Sequence, residues 1–527
     1  MSSTASYGIA RSKIAALETY VTGMWPVLTR SSRDALLAVQ DTKLQTTDGN
    51  RWPLYVSASE DLRRVREKLR KTLEPEAFRR IDLRILSGAP EQITEHGLVY
   101  LPGRYVVPGG RFNEMYGWDS YFIALGLLAE GRVGLAQSIA EQQIYQVKHY
   151  GTVLNCNRTY CLTRSHPPFL GRLVLAVFAQ TGDLEWLREN LPYVERYHTY
   201  WTSMPQFIPG LALSRYFALG EGPAPEALHG EVDDLGRNHY ERLKEWLRTH
   251  DESLTPAQVC YDSMTDSLTL AAYKDDRTVR ESGFDLTGRF GPCGMGIRDS
   301  APVCLNTLLW QLAKDIAEIR RLIDASQQTV DYWQAIAEER RKHMQRHFWD
   351  EKSGLFLDWQ LSRRKRRPYP FATTFWPLWA GWATQEQAAR VVGNLHLFET
   401  PHGLLTSTTT TGCQWDAPFM WAPLVMMAVE GLARYGFKEE AARIAGKFLK
   451  TLSTDFERTG QLFEKYNALT GSSEVGREIT FGYATNEPGF GWTNAAVRFL
   501  DSYCTESSPR RKSAASKRTP SADKTKA

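Results

Sequence analysis

No run of 18 or more apolar residues occurs in this 527-residue chain, which excludes a membrane-spanning helix of ordinary length. The first 29 residues lack a charged start followed by an apolar stretch, so a secretory leader is not expected and a cytoplasmic place is. Cysteine is sparse. Cys156, Cys161, Cys260, Cys293, Cys304, Cys413 and Cys504 are odd in number, scattered, and form no C-x-x-C pair, which argues against a disulfide framework and a zinc site. No glycine-rich phosphate cradle, dinucleotide fingerprint or Ser-His-Asp elbow is present. Strand-like alternation is scarce, with 105–107 and 354–358 as short hairpin pieces. No fixed repeat period appears, which speaks against a solenoid.

Charge of one sign is also scarce. The formal net charge is +4, and it is unevenly spread. From Thr505 to the end, seven Lys and Arg stand against Glu506 and Asp523, a net of +5, which leaves the remainder near −1. The body of the chain therefore gives no reason to expect nucleic acid or a membrane surface as a partner. The 505–527 tail, rich in Ser, Ala, Lys, Arg and Pro, is expected to be disordered.

What is abundant is helical periodicity and aromatic side chains. Hydrophobic residues make up 42% and aromatics 12%, including 16 Trp, a composition that suits a large core and flat, partly apolar ligands such as sugar faces. Apolar stripes of helical spacing predict paired helices over 120–149, 169–202, 302–348, 377–395 and 422–452, and a last helix over 492–503. Helix, short turn, helix, repeated without a sequence period, predicts an all-α toroid of helical hairpins. The first 95 residues read as an irregular segment packed on a barrel of residues 96–504. Within that barrel, 201–282 reads as a long polar lid-like insert.

Four interhelical regions concentrate chemistry. Residues 108–121 (PGGRFNEMYGWDSY) put Arg111, Trp118 and Asp119 just after a Gly-Gly turn. Residues 155–169 (NCNRTYCLTRSHPPF) supply Asn155, Arg164, Ser165 and His166. Residues 281–290 (ESGFDLTGRF) set Asp285 between Phe284 and Leu286, a partly apolar setting that raises a carboxyl pKa as a general acid requires. Residues 414–423 (QWDAPFMWAP) offer Gln414, Trp415 and Asp416, and Glu464 follows in FEKYN. Each region alone fits a turn or a helix cap. Together they supply carboxylates, arginines, amides and tryptophans, the set that glycoside hydrolysis needs. One carboxylic acid protonates the glycosidic oxygen, and a second carboxylate attacks the sugar or activates water.

The sequence resembles the trehalases of glycoside hydrolase family 37. PGGRF-x-E-x-Y-x-WDSY and QWDAP-x-x-WAP are similar to the two signatures of that family. NCNRTYCLTRSHPPF, ESGFD, EKYN and GFGWTN are similar to further family segments in the same order, over roughly 106–494. The resemblance implies an (α/α)6 barrel and inversion at the anomeric carbon, with Asp285 as catalytic acid and Glu464 as base. It implies sugar contacts from Arg111, Trp118, Asp119, Asn155, Arg164, Ser165, Gly283 and Glu226, with Gln414, Trp415 and Asp416 in the second signature. His166 stands where the family has Gln. No metal or cofactor is implied, and a disaccharide is the expected partner of a chain monomeric by default. Two departures are visible. Ala224 replaces a family arginine two residues before Glu226, and 479–488 (ITFGYATNEP) replaces a glycine-rich lid. Arg215, Arg289 and Glu487 are the candidates to refill that space. The expected reaction is hydrolysis of α,α-trehalose to two glucose molecules. Its alternatives are hydrolysis of another α-glucoside on the same scaffold and an inverting disaccharide phosphorylase.

Overall fold

The structure is a computed structural model that describes residues 9–44, 51–230, 233, 235–249, 260–483 and 485–506. The expected basic tail lies outside the described residues from 507 onward.

Twelve helices form the barrel: α1 (Arg11–Leu28), α2 (Gly117–Ala129), α3 (Val133–Tyr150), α4 (Leu170–Thr181), α5 (Leu184–Trp201), α6 (Val303–Leu322), α7 (Gln327–Phe348), α8 (Trp376–Ala380), α9 (Gln385–Gly393), α10 (Ala422–Arg434), α11 (Lys438–Thr459) and α12 (Gly491–Glu506). The even-numbered helices pack on one another in the order α2, α4, α6, α8, α10, α12 and back to α2, which closes an inner ring. Their composition dictates this. In α2, α6 and α10 buried residues lie all round the helix, and a helix apolar on every side has to sit inside. The odd-numbered helices form the outer layer. Their burial is more one-sided, as in α1, where Ile14, Leu17, Val21, Trp25 and Leu28 make a single stripe. The ring is tight where α2 meets α12: a Cβ on Gly126 would stand 2.6 Å from the Cα of Ala495.

The turns from inner to outer helices are short and carry stop signals. Gly182 and Gly381 take left-handed φ of 64° and 85° at the ends of α4 and α8. The connections from outer back to inner helices are long. Because all inner helices run the same way, every long connection reaches the same mouth of the barrel. All four chemistry-bearing regions of the sequence lie in these connections, which is why residues more than 300 positions apart converge.

The described residues among the first 95 are not irregular. Helix α1 is the outer partner of α12 and closes the toroid. Strands β1 (Trp52–Ser57), β2 (Ile81–Leu86) and β3 (Leu98–Val99) form a parallel sheet in the order β2-β1-β3, with Trp52 opposite Ile81 and Leu54 opposite Leu98. A helix over Leu62–Thr72, capped by the Asp61 side chain, makes the crossover between β1 and β2. Pairing partners about 30 residues apart leave no local signal. This sheet bears on the site, because Val99 N donates to Asn157 O (2.8 Å) and Asn157 Nδ2 returns to Val99 O (2.9 Å). The 201–282 insert ends in a helix, Leu270–Glu281, most of whose residues are buried against the barrel mouth.

Candidate active site

A cleft of about 780 Å³, open solvent included, occupies the mouth. Of the expected residues, Arg111, Trp118, Asp119, Asn155, Arg164, His166, Glu226, Gly283, Asp285, Trp415 and Glu464 line it. Its floor is aromatic. Trp118 packs edge-on to Phe284 and Trp492 and tilted against Trp415, which stacks on Trp421 at 3.8 Å. Gly283 has φ 77°, and a Cβ there would stand 3.0 Å from the Trp118 ring. Only glycine suits both the backbone and the space.

Asp285 follows the Leu270–Glu281 helix and faces the cleft with its side chain 32% exposed. Its backbone is fixed from the 414–416 turn: Gln414 Nε2 donates to Asp285 O, and Trp415 N donates to Leu286 O (3.0 Å). Desolvation at the cleft floor raises its pKa to about 6, and the Glu464 charge adds to this against the pull of Arg280. Glu464 immediately precedes β5 (Lys465–Asn467), which pairs antiparallel with β4 (Phe419–Trp421). Lys465 Nζ lies 2.9 Å from Glu464 Oε2, and the Tyr483 hydroxyl donates to Oε1. Burial lifts the Glu464 pKa, with Lys465 and Tyr483 opposing. The two carboxyls thus have different surroundings. Asp285 has one cation 3.8 Å away (Arg280 Nη1), whereas Glu464 is gripped by an ammonium and a phenol. Asp119 is pushed well above the usual carboxylate range by burial, then by the Glu464 and Asp285 charges.

Arg164 is buried and donates from Nη2 to Glu226 Oε1 (2.5 Å) and to Cys161 Sγ (3.2 Å). Its Nε and Nη1 and the Glu226 Oε2 have no hydrogen-bond partner among the described residues. Buried guanidinium donors without partners are costly unless a ligand meets them. Burial and then the Arg164 charge hold His166 well below its ordinary pKa, so it is neutral. Its Nδ1 accepts from Trp118 N (3.1 Å), which leaves the proton on Nε2.

Three expected contacts are not on the wall. Ser165 lies behind it, donating to Val153 O (2.8 Å) and accepting from Thr152 Oγ1 (2.8 Å). Gln414 reaches a smaller neighbouring recess and acts through the Asp285 carbonyl. Asp416 accepts from Thr287 Oγ1 (2.9 Å), Gly288 N (2.6 Å), Tyr369 OH (2.8 Å) and Thr411 Oγ1 (2.5 Å). All its capacity is spent on clamping the loop after Asp285. Replacing Asp416 by Ala strands those donors, and charged hydrogen bonds are worth about 1.5–3 kcal/mol each. The expected result is a loss of at least about 3 kcal/mol in urea unfolding together with a fall in kcat; an unchanged urea midpoint would contradict the clamp.

None of the three candidate refills reaches the cleft wall through its charged group to replace the family arginine. Arg289 is bound to Asp358 at 2.6 and 2.7 Å, and Arg215 donates to Pro205 O and Arg298 O. Glu487 accepts from Arg111 N (2.9 Å) and Thr485 Oγ1 (3.1 Å), tying the 479–488 segment to the Gly-Gly turn. Ala224 is buried, with its N–H on Tyr240 OH (2.6 Å). A third arginine lines the cleft beside Arg111 and Arg164: Arg280. It is fixed by Asp276 at 3.0 and 3.2 Å. Its signal is available in the sequence, one turn after an acidic residue and five positions before Asp285. Lys43 is a further wall residue that carries no sequence signal, and Tyr160 and Tyr483 join the wall from within the 155–169 and 479–488 segments. Lys43 arrives from the N-terminal segment in a buried cluster with Asp41, Glu114 and Arg158. Among the described residues no group of three His, Cys, Asp or Glu side chains is placed to hold a metal ion.

A family model described as Trehalase matches residues 28–504. The cytosolic neutral trehalase of Neurospora crassa is 36% identical over 440 residues, covering 75% of this chain and 58% of that protein. The cytosolic neutral trehalase of Saccharomyces cerevisiae is 35% identical over 440 residues, covering 76% and 57%. The chain thus spans somewhat more than half the length of these curated relatives. The solved neutral trehalase Nth1 from Saccharomyces cerevisiae superposes with a TM-score of 0.75 at 28% identity, covering 93% of this chain and 94% of that one. The mannosylglycerate hydrolase of Thermus thermophilus shares the fold at a TM-score of 0.51 and 18% identity, covering 75% of this chain and 95% of that one.

Proposed function

The chain belongs to the trehalase family, and from that premise we propose that it hydrolyses α,α-trehalose to two glucose molecules with inversion. The observation that carries this reading is the pair of unlike carboxyls on one cleft, Asp285 able to hold a proton and Glu464 held by Lys465. Asp285 gives its proton to the glycosidic oxygen. Glu464 takes a proton from a water, whose oxygen attacks the anomeric carbon from the opposite face. One sugar leaves as α-glucose and the attacked sugar becomes β-glucose. Arg111, Arg164 and Arg280 offer forked donors suited to vicinal hydroxyls, and the Trp118, Trp415 and Trp492 rings suit the apolar sugar faces. Asn155, Glu226, Asp119 and the Nε2–H of His166 complete the polar wall. The cytosolic naming of the relatives supports a cytoplasmic place, and no described helix is long and apolar enough to cross a membrane.

The substrate is tested by comparing kcat/KM on trehalose, kojibiose, nigerose, maltose and isomaltose. Trehalose is expected to rank first, because Arg280 supplies an arginine on the wall despite Ala224. A clear preference for another disaccharide overturns the substrate and leaves the inverting mechanism standing. Strict dependence on phosphate would instead indicate a phosphorylase.

A further inference from the structure

Cys156 and Cys161 bracket the turn that delivers Tyr160 and Arg164 to the cleft. A single 3-10 turn over Thr159–Cys161, with Cys161 N donating to Arg158 O (2.9 Å), folds the two cysteines together. Their sulfurs lie 2.8 Å apart, less than about 1 Å beyond the length of a disulfide bond. Both are buried and reduced. Cys161 lines the cleft, and Cys156 lies behind it.

We propose that Cys156 and Cys161 form an oxidisable dithiol in the cleft wall, a modification site for hydrogen peroxide, and that closing it weakens the hold of Arg164 on substrate.

The two thiols are unlike. Burial raises the Cys161 thiol, but the hydrogen bond with Cys156 and the charge of Arg164 outweigh it and bring the group below its ordinary value. Burial pushes Cys156 well above its ordinary value. Cys161 is thus the nucleophile and Cys156 the resolving thiol. The Cys161 thiolate attacks one peroxide oxygen. The O–O bond breaks, giving a sulfenic acid on Cys161 and a hydroxide that leaves as water after taking a proton. The Cys156 sulfur then attacks the sulfenic sulfur. The S–S bond forms, the S–O bond breaks, and the Cys156 proton leaves with the hydroxide as a second water. The two thiols lose two electrons, and peroxide is reduced to water.

The consequence reaches substrate through named contacts. Reduced Cys161 accepts from Arg164 Nη2 (3.2 Å) and lies 3.6 Å from Asn155 Oδ1. A disulfide sulfur is a weaker acceptor and cannot become a thiolate, so Arg164 loses one of its two side-chain partners and keeps Glu226. With a charge-assisted contact removed, KM is expected to rise about three- to tenfold while kcat changes little. A second thiol pair in contact, Cys293 and Cys413, does not line the cleft and serves as an internal control.

The test uses the full-length purified chain. It is exposed to hydrogen peroxide, quenched with an alkylating agent and digested with trypsin. Cleavage after Lys148, Arg158 and Arg164 separates the cysteines, so the bond would join peptide 149–158 to peptide 159–164. The expected result is that joined peptide, a raised KM, and recovery of both with dithiothreitol. Cys156→Ala, or Cys156→Ser if the first folds poorly, is expected to keep the reduced KM and yield no joined peptide. A wild-type digest with Cys161 still alkylated after peroxide, or with only Cys293 and Cys413 joined, overturns the site. A joined peptide with unchanged KM overturns the assigned control of Arg164. The KM arm rests on the proposed trehalose reaction, but the peptide arm does not. Failure of trehalose turnover would strike the functional reading alone.

Discussion

Asp285→Asn and Glu464→Gln are each expected to lower kcat by about 10²–10⁴-fold, the usual worth of a positioned acid or base, with KM changed by much less. The asymmetry between kcat and KM follows from role. In the proposed mechanism both groups act on protons that move only in the transition state, whereas the ground-state hold on the sugar is assigned to the arginines and tryptophans. Asn keeps the size of Asp285 and its place between Phe284 and Leu286 but has no proton to give. Gln keeps a contact to Tyr483 but cannot take a proton from water. The wild-type pH profile adds a sign. The acid works protonated and its pKa is raised to about 6, so kcat/KM falls as pH rises through about 6. The base works ionised, and its pKa is also raised, so activity falls again on the acid side. Near-normal turnover in either variant removes that residue from its role.

Arg164→Leu is expected to raise KM by about ten- to a hundredfold, the loss of one charge-assisted hydrogen bond of about 1.5–3 kcal/mol to a buried ligand. The orphaned Nε and Nη1 are the donors that would be lost. The substitution also leaves Glu226 buried with the more distant Arg280 and Arg277 charges. Glu226 now sits below its ordinary value, because the Arg164 and Arg280 charges outweigh burial, and its pKa is expected to rise when Arg164 is gone. Arg164→Lys restores the charge without the fork, so partial recovery of KM is expected. Steady-state kinetics on the three proteins separates these effects. An unchanged KM in Arg164→Leu would place substrate elsewhere in the cleft.

The barrel is legible in the sequence because inner helices such as Ala422–Arg434 must bury every side, which leaves long apolar runs. The mouth is legible because its residues come in dense loops between those runs. What stays hidden is non-local. The β1–β2 pairing joins residues about 30 apart, and α1 finds α12 across nearly the whole chain. Lys43 and Tyr483 reach the cleft only through that tertiary packing. Arg280 escapes a reading that finds the adjoining Glu281-to-Asp285 segment, because the helix before it looks like part of a polar insert. Asp416 shows the opposite error. An acidic residue in a signature reads as a sugar ligand, and only its four donors reveal a clamp. Arg289 looks free to refill the cleft for the same reason, since no sequence shows that Asp358 already holds it.

The central claim is inverting hydrolysis of trehalose through Asp285 and Glu464, and the stereochemistry of the first products tests it most directly. Purified protein is mixed with α,α-trehalose, and the anomeric proton signals are followed by NMR before mutarotation mixes them. Attack by a Glu464-activated water turns one sugar to β-glucose and releases the other as α-glucose, so the two anomers are predicted to appear in equal amounts from the start. Release of α-glucose alone would show retention and contradict the account, as would the absence of any glucose.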